Sequence, residues 1–146
     1  MSGAVVKIEI EGQERVEAAL GGMARRAADL RPALADIGEY LILAHQERFD
    51  AQESPEGEPW APLSERYRAR KKRNRDKILV LDDILAGTLR YQTTASSLLF
   101  GTDRVYGATH QLGRVEAGIP ARKFLGLSSR DEDEAARLVL AHLAEA

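Results

Sequence analysis

Pro55, Gly57, Pro59 and Pro62 fall within thirteen residues, 51–63, around Trp60, the one tryptophan of the chain. Proline locks φ and donates no backbone hydrogen bond, so no helix runs through this stretch. It divides the chain into a helical first third and a mixed remainder. A connection of that length without secondary structure is uncommon in a compact domain, and such segments often carry function. Trp60 reads in two ways: a plug folding the loop over the core, or an aromatic anchor presented to a partner, since tryptophan is enriched at interface hot spots.

Upstream, Val6, Ile8 and Ile10 alternate with Lys7, Glu9 and Glu11, the pattern of a half-buried strand over Ala4–Glu11. Val16, Leu20, Met23, Ala27 and Leu30 then recur at helical spacing and predict one apolar face. Pro32 suits the first turn of a second helix, whose face continues through Leu34, Ile37, Leu41, His45 and Phe49.

Downstream, Ser64 is placed to cap a helix over Glu65–Arg75. Ile78–Leu81 is an apolar run open to strand or helix, with Asp82 or Asp83 capping a short turn that ends at Gly87. Segments 88–94 and 97–102 flank Ala95-Ser96 and predict an antiparallel hairpin. Val105–Leu112 reads as a helix closed by Gly113, 114–120 as a loop and 121–127 as a short strand. Ser129 and Glu132 have the spacing of a capping box for a last helix, with Ala135, Leu138, Val139 and Leu143 on its inner face. Mixed elements without regular βαβ alternation predict an α+β fold, a small antiparallel sheet packed with several helices. At 146 residues a single domain over 1–146 is expected, with a mobile loop and basic segment at about 51–77.

Charge is segregated. Arg66 to Lys77 holds eight basic residues and one acid, whereas the rest of the chain holds 13 basic and 22 acidic residues. A segment of +7 in a remainder of −9 suits docking on an acidic protein surface, another copy of this chain included. The same charge could neutralise nucleic-acid phosphates, or form a solvated helix face. The run lacks the interleaved aromatics of a single-strand binder, Tyr67 apart.

Catalytic signals are weak. No phosphate-binding loop, dinucleotide fingerprint, nucleophile elbow or zincin motif occurs, and His45, His110 and His142 have no metal-ligand spacing. Cysteine is absent, which excludes disulfides, thiolate metal sites and cysteine catalysis. The Asp131–Glu134 cluster reads as helix N-terminal charge. No enzyme activity, cofactor or metal is expected, and neither a membrane-spanning run nor a secretory pattern is visible.

Four blocks between residues 49 and 128 nevertheless resemble one family. Phe49, then Pro55-Glu-Gly57-Glu-Pro-Trp60-Ala-Pro62-Leu63, is similar to the P-x-G-x-x-W-x-P-L signature of the phage virion morphogenesis family, tail-completion proteins of contractile-tailed phages. Ile78-Leu79 to Gly87-Thr88-Leu89 is similar to its I-L-x-x-T-G-x-L region, with glycine and threonine here in reverse order. Tyr106-Gly-Ala-Thr-His110-Gln111-Leu-Gly113 resembles Y-A-x-x-H-Q-x-G, and Pro120-Ala-Arg122-Lys-Phe124-Leu-Gly126-Leu-Ser128 resembles P-x-R-x-F-L-G-L-S. The resemblance implies a non-enzymatic assembly protein without cofactor, acting where the tail is completed and joined to the head. Its place would be the virion, assembled in the host cytoplasm, and its partners tail and head-neck proteins.

Charge segregation suits head-to-tail contact between copies, as in a ring. The candidate partner or subunit contacts are Trp60, Arg66, Arg70, Lys71, Lys72, Arg73, Arg122 and Phe124. Arg122 is expected to pair bidentately with a carboxylate.

Overall fold

In the computed structural model, residue 7 and residues 13–71 and 84–145 are described. The strand expected over Ala4–Glu11 therefore lies outside the described residues, apart from Lys7, as do the Ile78–Leu81 run, the caps at Asp82 and Asp83, and the contact candidates Lys72 and Arg73.

Helix α1 (Gln13–Ala28) is followed after two residues by α2 (Arg31–Ala51), with Pro32 in its first turn. Asp29 holds the junction by accepting from the Arg31 backbone N–H at 3.1 Å and from its Nε at 2.9 Å. The α2 face built on Ala33, Ile37, Leu41, His45 and Phe49 is buried. Strands β1 (Arg90–Thr93) and β2 (Leu98–Gly101) form the expected hairpin, antiparallel with Arg90 opposite Gly101 and Thr93 opposite Leu98. It packs on α2 so closely that a Cβ on Gly38 would stand 2.5 Å from Cγ of Tyr91. Between these lie α3 (Glu65–Arg70) and α4 (Ile84–Gly87). Helix α5 (Val105–Leu112), a 3-10 turn (Val115–Ala117) and α6 (Ser129–Ala144) complete an α+β domain.

Ser64 caps α3 as expected, accepting from the Tyr67 N–H at 3.2 Å. The helix is shorter than the pattern suggested, because Lys71 is already extended at φ −67° and ψ 126°. Gly113 takes φ +76° after α5. A Cβ there would meet the Ala121 nitrogen at 2.7 Å, so both conformation and space call for glycine.

Two expectations are corrected, and the coverage of α1 is an added finding. Residues 121–127 form no strand; the Gln111 side chain takes the backbone groups that a neighbouring strand would have paired. The capping box of α6 is Ser128 with Asp131, one residue earlier than the Ser129–Glu132 pair. The apolar face of α1 is not buried in its N-terminal half, where Val16 and Leu20 are more than half exposed. At its C-terminal end α1 is anchored by side chains: Arg26 Nε donates to the Leu143 carbonyl at 2.8 Å, and His142 Nε2 donates to the carbonyls of Arg26 and Asp29 at 3.0 and 2.9 Å.

Candidate assembly site

The proline loop closes on itself before it meets anything else. Ser54 N–H donates to Glu58 O at 2.8 Å, Gly57 N–H to Ser54 O at 2.9 Å and Trp60 N–H to Gln52 O at 2.9 Å. These bonds turn the chain so that the Trp60 ring points inward. The ring is 5% exposed, lies edge-on to Phe49 at 5.3 Å between centroids, and donates its Nε1–H to the Lys123 carbonyl at 2.7 Å. Phe124 is fully buried against Phe49 at 5.8 Å. Loop 51–63 and segment 120–128, distant in sequence, are thus two walls of one core. Within the 51–77 segment, these bonds join residues 52–60 to one another and to Lys123.

Arg122 strengthens the same seam. The expected carboxylate partner is absent among the described residues. Its Nε donates to the Ala61 carbonyl at 2.8 Å and its Nη2 to the Pro62 carbonyl at 3.0 Å. A proline-rich turn leaves carbonyls without helical or sheet partners, and a buried guanidinium, with donors fixed in a fork, fills that need. Gln111 does the same for the next residues: its Oε1 accepts from the N–H groups of Phe124 and Leu125, and its Nε2 donates to Leu125 O, each at 3.0 Å. The neighbouring His110 has its pKa lowered, by burial first and by the Arg122 charge second.

A second polar cluster joins α2 to the start of α6. Arg48 and Asp131 form a buried ion pair. Arg48 Nη1 also donates to the Gly126 carbonyl at 2.9 Å. Asp131 accepts from the Tyr40 hydroxyl at 2.9 Å and from the Ser128 N–H at 2.9 Å. Burial alone would raise the Asp131 pKa, but the Ser128 N–H, Tyr40 and Arg48 together outweigh it and hold the carboxyl below its ordinary value. Tyr40 is pushed up by burial and by the bond to Asp131. His45 sits beneath, 1% exposed, with Nδ1–H donating to Leu41 O at 2.7 Å and Nε2 accepting from the Gly126 N–H at 3.3 Å. Burial takes its pKa down to about 4, so it is a neutral core histidine at pH 7.

The contact candidates therefore part into two groups. Trp60, Arg122 and Phe124 come together, but inside the fold, where Trp60 is the plug of its loop. Arg66 and Arg70 lie on α3, and Lys71 follows it, 4% exposed. Arg68 and Arg70 are exposed and in no ion pair among the described residues, with the Arg70 guanidinium 6.0 Å from the Tyr67 ring centroid. Sequence reasoning missed Arg48, Tyr40 and Asp131 as a unit. One signal was present: Arg48 lies three residues from His45 and next to Phe49 on an apolar stripe, and a charge there needs a buried partner.

Among the described residues no group of three or more histidine, aspartate or glutamate side chains could hold a metal ion, and no helix is long and apolar enough to cross a membrane. The seam and the ion pair together join loop 51–63, segment 120–128, α2 and α6. Residues 12–144 match the phage virion morphogenesis family, and the chain belongs to it, which places its role in building the virion. It is 34% identical over 101 residues to the Mu-like prophage FluMu G protein 1 of Haemophilus influenzae, an alignment covering 66% of this chain and 68% of that protein. No solved structure matches the chain.

Proposed function

We propose that this chain is a non-enzymatic, virion-associated protein that completes the phage tail and joins it to the head, working as a subunit of a ring. The observation that carries the reading is the family match over residues 12–144, which includes every described element of the fold. The fold is consistent with it: Arg122 and Gln111 hold loops in place, and Arg48 with Asp131 joins α2 to α6. Arg68 and Arg70 stand exposed on α3 outside any ion pair among the described residues, and a charge-segregated subunit can meet its neighbour head to tail.

The test is electron microscopy of particles made without the protein. Full heads beside unjoined tails, rejoined by adding the purified chain, are expected. Normal joined particles would end the proposal. The +7 charge of Arg66–Lys77 also favours nucleic acid as a partner, and a gel-shift series in salt separates the two readings. A surface patch releases DNA by roughly 0.2 M salt, whereas retention well above that would favour the nucleic-acid reading.

A further inference from the structure

We propose that the groove along the C-terminal half of α2 receives the basic segment Arg66–Lys77 of a second copy of this chain. This rests on the self-association reading above and names its receiving surface. The groove encloses about 450 Å³. Leu43, Ala44, Ala51 and Pro55 give it apolar surface, with Leu43 62% exposed, and Glu47 and Glu53 stand at its side. The Arg48–Asp131 pair at its base cancels its own charge, and Arg130 is the remaining cation of the lining. Asp50, one turn beyond Glu47 on α2, extends the acidic edge.

Three features select the occupant. An apolar surface beside carboxylates fits lysine and arginine, whose aliphatic stems lie on apolar atoms while their heads reach the acids. The chain itself supplies such a segment, eight basic residues in twelve, of which Arg68 and Arg70 are exposed and Lys71 is buried in its own copy. Among the described residues, Glu47, Asp50 and Glu53 are in no ion pair, and neither are Arg68 and Arg70, so acids and bases are not matched within one copy. A contact between a groove on one copy and a segment on the next uses two different surfaces, and its repetition closes into a ring if the rotation allows.

The test is charge reversal followed by light scattering at low and high salt. Glu47→Lys/Glu53→Lys and Arg68→Glu/Arg70→Glu should each weaken self-association at low salt about tenfold, equivalent to about 1.4 kcal/mol. All four side chains lie outside the core, so melting temperatures should stay near that of the parent. Combining the four changes in one chain should not restore association, because the segment still carries +3 and then meets a groove made basic. A parent that associates while the groove variant does so equally well, or a combined variant that associates as well as the parent, overturns the groove and leaves self-association standing. A parent that remains a monomer at every salt and protein concentration overturns both. As a second measurement, the chain has no native cysteine, so Leu43→Cys/Arg70→Cys introduces a single pair. Oxidation should give disulfide-linked ladders; a bridge within one copy would count against the proposal.

Discussion

Replacing Arg48 by methionine should be among the most damaging changes available outside the aromatic core. Methionine keeps much of the stem volume but removes every donor. Arg48 and Asp131 are 9% and 3% exposed at the side chain, so the carboxylate left behind would stay out of water without its counter-charge. Tyr40 and the Ser128 N–H would still serve it, each at 2.9 Å, but the Gly126 carbonyl would lose its arginine donor. Removing one partner of a buried pair costs about 3–5 kcal/mol. In a domain of this size that lowers the melting temperature by roughly 10–15 °C. Asp131→Asn in the Arg48→Met background removes the stranded charge while an amide oxygen can keep one of the remaining donors. Most of the loss should return, giving a coupling of about 2 kcal/mol or more in a double-mutant cycle. Urea melts of the four proteins, followed by circular dichroism, supply the numbers. The cycle carries a pH signature as well. Without Arg48 the carboxyl loses one of the groups that hold its pKa down, so the Asp131 pKa moves up from the parent's value and the deficit of the single variant should shrink as pH falls through the window between the two. A loss under 1 kcal/mol for Arg48→Met, or strict additivity in the cycle, would refute the claim that this pair binds α2 to α6.

Two further outcomes are expected. His45 has a folded pKa of about 4 against 6.5 unfolded, so the unfolded chain binds its proton first; stability contributed by the neutral ring is complete above pH 6.5 and is lost as pH falls toward 4, by about 3 kcal/mol in all. Urea melts across that window should show the slope in the parent and a flatter line in His45→Gln; equal slopes would sink the assignment. Gln111→Leu leaves the N–H groups of Phe124 and Leu125 without their acceptor and should cost about 2–3 kcal/mol. Hydrogen exchange at those two amides should speed up more than elsewhere, and unchanged protection would show that water or another group already serves them.

Much of the local structure was legible from residue order alone, because its causes are local. Prolines stop helices anywhere past the first turn, which located the end of α2 and the 51–63 loop. Ser64 had a free N–H three residues ahead to accept from, and residues 88–102 alternate around a turn whatever they pack on. The motif blocks, read as a resemblance, pointed to the family without any coordinates.

Tertiary structure decided the points at which two local readings were equally good. Ser128–Asp131 and Ser129–Glu132 have the same spacing, and nothing within α6 separates them. Arg48, 83 residues upstream, separates them, because only Asp131 can both cap the helix and neutralise a buried guanidinium. Trp60 was as good an anchor as a plug until the Lys123 carbonyl and Phe49 ring gave it partners inside. Segment 121–127 had the composition of a strand but found the side-chain amide of Gln111 instead of another strand. The apolar stripe of α1 was legible as a stripe, yet at Val16 and Leu20 it remains exposed. Periodicity shows which side of a helix is apolar; how much of that side is covered depends on what the rest of the chain brings against it.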